Sequence, residues 1–300
     1  MNRREFLRNG PMALLGMSAP ATPNLDPKPR EGRGDDQQTG SKKKRESLLK
    51  PRDFRKEPFR RLVILGESMV SGGTGRWLQS EEQRYADVVA RLINSCQEKS
   101  IEYINKGMGG NAISPRSPGY PKSSKPSALE RYKADVIDLN PDLFILAYGS
   151  NDMVAGMPAQ DFRADMAHII SDVKKACAPM IVLTTVYYMT GWKSWPPFDK
   201  GSIELTLEYN DCIRSLASEF DCVVADVWAA EGGADWLIHY DGAHSNKVGC
   251  LLIGHRVFEA ICQHASGLTL QTFAQIRSTD WSQMAIRKRM EFGDPFQQTW

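Results

Sequence analysis

Short runs of apolar residues alternate with segments of helical periodicity from residue 61 onward. The apolar runs have the length of strands that are buried on both faces of a sheet. They predict strands at Arg61–Gly66, Ile101–Ile104, Asp142–Tyr148, Met180–Tyr187 and Cys222–Val227. Between them, apolar residues recur every three or four positions and predict helices at about 81–97, 128–139, 159–176, 203–219 and 246–263.

Five strands separated by helices predict an α/β protein with a doubly wound parallel sheet covered by helices on both faces. Right-handed crossovers leave few other ways to connect such elements. Ligand sites of these sheets form at the carboxyl ends of the strands, where the strand-to-helix loops converge. Candidate chemistry is therefore expected in the loops that begin near residues 66, 105, 148, 188 and 228.

The N-terminal region differs from this body. Arg3 and Arg4, a short apolar stretch and the small residues of the triplet 19–21 resemble a twin-arginine export signal. We expect a signal peptide over 1–21 and export to the periplasm or beyond, with a cytoplasmic protein as the alternative. No cysteine lies near residue 21, which argues against a lipoprotein anchor.

Two further segments flank the predicted body, which we assign to 61–265. Residues 22–60 are polar, rich in Pro, Gly, Lys and Arg, and have almost no periodic apolar positions. Such a segment cannot bury enough surface to offset its ordering entropy, so a disordered basic linker is expected. Residues 266–300 contain spaced apolar residues and predict a helical tail that packs on the body.

Composition and charge exclude several classes of protein. The chain is 41% hydrophobic and 25% charged, which is typical of soluble domains, and no apolar run reaches the ~18 residues of a membrane span. Residues 1–61 carry a net charge of +8, so the other 239 carry −6, and the body has no electrostatic basis for binding nucleic acid. The six cysteines show no Cys-x-x-Cys spacing and are expected to be buried, apolar thiols.

Chemically useful groups follow the strands. Ser68 comes two residues after the first strand, and three glycines within 107–110 follow the second. Glycine permits positive φ and lets a ligand approach the backbone closely. After the third strand, Asn151 is a candidate side-chain donor and Asp152 a candidate cap of the next turn.

The last loop supplies an Asp-His pair, Asp241 and His244. Three-residue spacing in a turn places both side chains on one side, so the carboxylate can orient the imidazole and stabilise its protonated form. His239 is the local rival, but it lacks a carboxylate three residues before it. A nucleophile, oxyanion donors and an Asp-His pair are thus expected at one edge of the sheet.

These motifs resemble the four blocks of the SGNH (GDSL-type) hydrolases, in order: Gly66-Glu67-Ser68, Gly110, Gly149-x-Asn151-Asp152 and Asp241-x-x-His244. The resemblance implies a flavodoxin-like three-layer α/β/α sandwich and hydrolysis of esters or thioesters without a cofactor or metal. It also implies that Ser68 is the nucleophile, His244 the base and acid, and Asp241 its orienting partner. The Ser68 N–H, the Gly110 N–H and the Asn151 side chain would form the oxyanion hole.

Two positions depart from the family pattern. Glu67 stands where an aspartate usually precedes the serine, in a position with a structural role. Ser245 replaces the proline that often follows the histidine, which predicts a looser turn there.

The substrate is less defined. Trp192, Trp195 and Phe198 in the fourth loop are candidates for stacking on sugar rings or flanking an acyl chain, or else they anchor the loop. The proline-rich segment 112–127 is expected to form a wall of the site. We predict a carbohydrate O-acetylesterase acting on a small-molecule or carbohydrate ester. The alternatives are a lipid ester or thioester hydrolase and an inactive carbohydrate-binding relative.

Overall fold

Five parallel strands form the centre of the structure, a computed structural model that describes residues 51–72 and 83–269. The spatial order of the strands is β2-β1-β3-β4-β5, which is the predicted doubly wound sheet. The strands are β1 Arg61–Gly66, β2 Glu102–Gly107, β3 Leu143–Ala147, β4 Met180–Thr184 and β5 Val223–Ala225. Gly66 pairs with Gly107 and with Ala147, so β1, β2 and β3 end at the same level and their loops begin together.

Helices cover both faces of this sheet. They are α1 Ser68–Ser71, α2 Tyr85–Cys96, α3 Ala128–Tyr132, α4 Ser150–Val154, α5 Ala159–Cys177, α6 Ile203–Phe220, α7 Val227–Glu231 and α8 Lys247–Gln263. Alternate residues of β1 face opposite layers: Val63 packs with α3, α5 and α6, and Ile64 packs with α2 and α8. The three-layer α/β/α sandwich is thereby confirmed.

The structure differs from the predicted elements mainly near the site. β4 ends at Thr184 rather than at Tyr187, and Val227 begins α7 instead of ending β5. The cause at β5 is Asp226, whose side chain accepts a hydrogen bond from the Ala229 N–H and caps α7. The short helices α1 and α4 replace what the sequence suggested were loops.

The end of the predicted linker is ordered against the body. Residues 51–60 run along it, with Phe59 buried and Phe54 partly buried. The Asp142 carboxylate accepts hydrogen bonds from the backbone N–H groups of Arg60 and Arg61, at 3.0 and 2.9 Å. The burial of the two aromatic side chains and the hydrogen bonds to Asp142 offset the entropy lost when residues 51–60 become ordered. The polar composition of 22–60 had predicted disorder for this whole segment.

The remaining predictions concern the terminal segments, the cysteines and membrane-spanning helices. The predicted signal peptide over 1–21, residues 22–50 and residues 270–300 lie outside the described residues, and the described part of the tail forms the short 3₁₀ turn Ser266–Leu268. All six thiols are free; Cys212 and Cys250 are buried, whereas Cys96 is exposed. Within 51–72 and 83–269, no helix is both long and apolar enough to span a membrane.

Candidate active site

Ser68 begins α1, directly beyond the end of β1. The chain turns sharply here because Gly66 has no side chain: a Cβ at that position would overlap Val70 and the Ala147 carbonyl. Gly72 closes the helix in the left-handed conformation, and its N–H donates to the Ser68 carbonyl at 2.8 Å. Ser68 is largely buried but lines an open cavity of about 280 Å³.

The Asp-His pair lies on a loop closed by an antiparallel bridge between Ile238 and Ser245. Within it, one oxygen of Asp241 accepts hydrogen bonds from the N–H groups of Ala243 and His244, at 2.9 and 3.0 Å. These backbone contacts fold the loop around the carboxylate. They leave its second oxygen pointing at the imidazole.

The three side chains form a continuous hydrogen-bonded chain. Asp241 Oδ2 lies 2.7 Å from His244 Nδ1, and His244 Nε2 lies 2.8 Å from Ser68 Oγ. Burial on its own raises the pKa of Asp241, but the hydrogen bonds from the His244 ring and the loop backbone outweigh it and hold that pKa well below its usual range. Asp241 is therefore ionised at neutral pH and suited to stabilise a protonated His244.

His239, the rival histidine, shares the same carboxylate. Its Nδ1 lies 3.4 Å from Asp241 Oδ2, and its backbone N–H donates to the His244 carbonyl at 2.7 Å. Its ring lies 4.0 Å from the Tyr240 ring between centroids, with the two planes tilted by 39°. Only His244 of this pair contacts Ser68, so His239 supports the loop.

Gly110 and Asn151 line the cavity beside Ser68. Gly110 has a φ of 65°, which favours glycine, and within the described residues neither its N–H nor that of Ser68 donates to a protein acceptor. The Asn151 amide donates to the Asn111 carbonyl at 2.9 Å, and this bond uses one of its two N–H groups. The three residues that carry the predicted oxyanion donors, Ser68, Gly110 and Asn151, thus line the same cavity.

Glu67 joins the serine loop to the asparagine loop. Its carboxyl group accepts hydrogen bonds from the Gly149 and Asn151 N–H groups, at 2.9 and 3.4 Å, and from the Ser150 hydroxyl. Burial and the nearby charge of Asp152 raise the pKa of Glu67, against the effect of these donors. The longer side chain at this position therefore serves to hold the loop that carries Asn151.

Asp152 holds the second loop instead of capping its own helix. It is fully buried, and both of its oxygens accept from the Ile113 N–H, at 3.2 and 3.0 Å. Burial raises the pKa of Asp152 as well. The pair Glu67 and Asp152 thus ties together the loops that follow β1, β2 and β3.

Asn111 is a positioning residue that the sequence analysis did not single out. Its amide donates to the carbonyls of Ser124 and Pro126, at 2.7 and 2.9 Å, and its oxygen accepts from the Tyr148 hydroxyl at 2.6 Å. These bonds fix the backbone next to Gly110. The sequence could have indicated this residue only through its place after the paired glycines Gly109 and Gly110. Its hydrogen-bond partners lie 13 to 37 positions away in the chain, so no local pattern marks them.

Ser245 does not loosen the turn after His244. The side chain is fully buried, and its hydroxyl donates to Glu231 Oε1 at 2.5 Å. The expectation of a looser turn was wrong, because a hydrogen bond performs the task that a proline would perform through its restricted φ. Glu231, also missed from the sequence, accepts from the Tyr188 N–H at 2.9 Å as well.

The aromatic residues of the fourth loop divide into two groups. Trp195 and Phe198 line the Ser68 cavity and contact each other edge to face at 5.0 Å. Trp192 does not line it; its ring lies 6.0 Å from Tyr188 and 6.3 Å from Trp228. Two of the three predicted substrate-contacting residues are therefore at the site, and Trp192 anchors the loop.

The proline-rich segment contributes a wall, as predicted. Lys122 from its 3₁₀ turn lines the cavity, and Gly119 packs under Phe198. In the part of the chain that the structure describes, no cluster of His, Cys, Asp and Glu is arranged to hold a metal ion.

Comparison with known proteins agrees with this geometry. The model of the GDSL-like lipase/acylhydrolase family matches residues 64–250, a span that includes Ser68, Gly110, Asn151, Asp241 and His244. An uncharacterised lipoprotein, YqeF of Bacillus subtilis, is 21% identical over 194 residues, covering 57% of this chain and 74% of the relative.

Two solved structures share the fold at low identity. A lipase/acylhydrolase from Enterococcus faecalis has 21% identity and a TM-score of 0.53, covering 67% of this chain and 95% of its own. An acetylxylan esterase from Geobacillus stearothermophilus has 19% identity and a TM-score of 0.53, covering 69% of this chain and 96% of its own.

Proposed function

We propose that this chain, which belongs to the GDSL-like lipase/acylhydrolase family, is a carbohydrate O-acetylesterase that acts through an acyl-enzyme on Ser68. The chain is a serine ester hydrolase by family. The observation that carries the assignment of roles is the hydrogen-bonded chain from Asp241 through His244 to Ser68, inside a cavity that also holds the Gly110 and Asn151 donors.

In the first half-reaction, Ser68 Oγ attacks the carbonyl carbon of the ester while His244 Nε2 takes the hydroxyl proton. The negative charge of Asp241 stabilises the imidazolium that forms. The tetrahedral oxyanion accepts hydrogen bonds from the N–H groups of Ser68 and Gly110 and from the Asn151 side chain. When the intermediate collapses, the alcohol leaves with the proton from His244.

In the second half-reaction, a water molecule loses a proton to His244 and attacks the acyl carbon. The same donors stabilise the second oxyanion, and Ser68 leaves with the proton from His244. The products are the free acid and the regenerated hydroxyl of Ser68. No step needs a cofactor.

The shape of the cavity supports a short acyl group and a sugar. A volume of about 280 Å³ lies just below the ~300–1,000 Å³ that is typical of pockets for drug-sized ligands, which favours a small acyl group over the long chain of a lipid ester. Trp195 is 55% exposed, so its ring is accessible to a sugar face. The fold shared with the Geobacillus acetylxylan esterase agrees with this substrate class.

The test compares acetate release from acetylated xylo-oligosaccharides with hydrolysis of 4-nitrophenyl palmitate, a lysophospholipid and an acyl thioester, using the Ser68→Ala variant as the background. We expect a kcat/KM at least about tenfold higher on the acetylated sugars. A preference for long acyl chains would assign the lipid ester or thioester alternative. Absence of turnover on every ester would favour the inactive sugar-binding relative.

We further propose that the chain is exported through the paired arginines Arg3 and Arg4. The B. subtilis relative is named a lipoprotein, which agrees with export in that protein. N-terminal sequencing of the mature protein tests the proposal. A new N-terminus near residue 22 in the extracytoplasmic fraction is expected, and an intact Met1 in the cytoplasm would contradict it.

A further inference from the structure

Lys122 places a positive charge on the wall of the Ser68 cavity. It lines this cavity together with Gly110 and Asn151, the proposed oxyanion donors. Its ammonium group makes no hydrogen bond or ion pair with the part of the chain that the structure describes. No carboxylate of that part lines the cavity either, so no lining carboxylate among the described residues neutralises the charge of Lys122.

The backbone that carries Lys122 is fastened to the oxyanion loop. The Ser124 N–H donates to the Gly110 carbonyl at 2.8 Å, and the Ser124 hydroxyl donates to the Gly109 carbonyl at 2.7 Å. The Ser123 hydroxyl closes the turn by donating to the Tyr120 carbonyl at 2.9 Å. The backbone of Lys122 is therefore held by the same loop that supplies Gly110.

Lys125, three residues later, is the useful contrast. Its ammonium group lies 4.4 Å from the centroid of the Tyr120 ring, in a cation–π contact. The Tyr120 hydroxyl in turn donates to the Glu130 carboxylate at 2.9 Å. The charge of Lys125 thus interacts with a residue of its own turn, and Lys125 does not line the Ser68 cavity.

On the basis of the proposed function, we propose that the substrate is an O-acetylated acidic sugar and that Lys122 binds the carboxylate of its alcohol part while Ser68 attacks the acetyl ester. Lys122 is exposed, so its charge-assisted hydrogen bond to the carboxylate weakens as salt is added. Trp195 and Phe198 line the same cavity and offer apolar surface to the sugar carbons. Lys122 therefore determines specificity and takes no part in the proton transfers.

The test uses O-acetylated galacturonic acid and its methyl ester, which share the acetyl group and the ring but differ in charge. Wild-type kcat/KM should be about tenfold higher for the acid at low ionic strength, and the difference should shrink as salt is added. Lys122→Met should reduce the ratio of kcat/KM for the acid over the methyl ester to about one. Lys125→Met should keep the full preference.

Three results would overturn the inference. One is equal wild-type activity on both compounds, and another is a Lys122→Met variant that keeps the preference. The third is a preference confined to acetylglycerol phosphate over acetylglycerol, which would assign a phosphate-bearing lipid-type substrate. Failure of the proposed function itself looks different, because neither the galacturonate pair nor neutral acetylated xylo-oligosaccharides would then be hydrolysed.

Discussion

The Ser245 hydroxyl donates a hydrogen bond to the Glu231 carboxyl group at 2.5 Å, which fastens the residue after His244 to the end of α7. The other oxygen of Glu231 accepts from the Tyr188 N–H at 2.9 Å, where the fourth loop begins. One buried side chain thus holds both the loop that carries His244 and the loop that carries Trp195. Burial raises the pKa of Glu231 to about 7.

Removing the Ser245 hydroxyl should impair both stability and catalysis. Ser245→Ala leaves one oxygen of Glu231 without its partner, at a cost of about 1–3 kcal/mol in the free energy of unfolding. We expect a lower Tm and a lower kcat, because His244 is held less firmly against Ser68. Ser202→Ala is the matched control: it removes the N-cap of α6, which accepts from the Leu205 N–H, and should lower Tm with little effect on kcat. Wild-type values of both Tm and kcat in Ser245→Ala would refute this role.

Loss of the Asn151 amide should destabilise the transition state and lower kcat. Asn151→Ala removes one of three proposed oxyanion donors, and kcat should fall by roughly 10²–10³-fold with a small change in KM. The same substitution removes the bond to the Asn111 carbonyl, so Tm is measured beside the steady-state kinetics. An unchanged kcat in folded protein would remove Asn151 from the oxyanion hole.

A methyl group at Gly119 should disturb the substrate wall. A Cβ there would lie 2.7 Å from Phe198 Cε1 and 3.0 Å from the Ala155 Cβ, so the Phe198 ring must move. Gly119→Ala should raise KM with kcat nearly unchanged and cost about 1–3 kcal/mol in stability. The double variant Gly119→Ala with Phe198→Leu should regain part of that stability, because the smaller side chain makes room. Strictly additive losses in the double variant would show that the two positions do not interact.

Stability should fall as the pH rises through the neutral range. The pKa of Glu67 is raised in the folded protein, whereas in the unfolded chain this carboxyl ionises near its ordinary value of 4.5. Between those values the folded state binds the extra proton, so the free energy of unfolding decreases with increasing pH. We expect a lower Tm at pH 9 than at pH 6.

The Glu67→Gln variant isolates this contribution. Glutamine has nearly the same shape, its oxygen can still accept from the Gly149 N–H, and it does not ionise. The fall in Tm between pH 6 and pH 9 should be smaller in the variant than in the wild-type protein. Parallel curves for the two proteins would exclude Glu67 as a source of the pH dependence.

The fold was accessible from the sequence because parallel strands buried on both faces appear as continuous apolar runs. All five strands and the four long helices α2, α5, α6 and α8 lie where that pattern predicts them, within a few residues. The helix predicted at 128–139 is the short α3 followed by the π-helical turn Lys133–Ile137. The short helices α1, α4 and α7 were missed since four or five residues show no helical period. The apolar pattern predicts that β5 continues to Val227, but the strand ends at Ala225 because Asp226 caps the helix that begins at Val227.

Part of the candidate site could also be predicted from the sequence, because it follows from the topology of the sheet. Ser68, Asn151 and His244 follow strands whose ends the sheet brings together, so their proximity followed from the topology. Glu231 and Asn111 act through hydrogen bonds whose partners are distant in the chain, and no local pattern marks them. Whether Trp192 or Trp195 faces the cavity depends on packing against Tyr188 and Trp228, which sequence spacing does not encode.

Labelling with a fluorophosphonate tests the central claim most directly. The wild-type protein is treated with the reagent and the adduct is mapped by mass spectrometry, beside the His244→Ala variant and beside His239→Ala as its matched control. We predict an adduct at Ser68 in the wild-type protein and in His239→Ala, and none in His244→Ala. Folded wild-type protein without an adduct at Ser68, or equal labelling after loss of His244, would contradict the account of an activated serine.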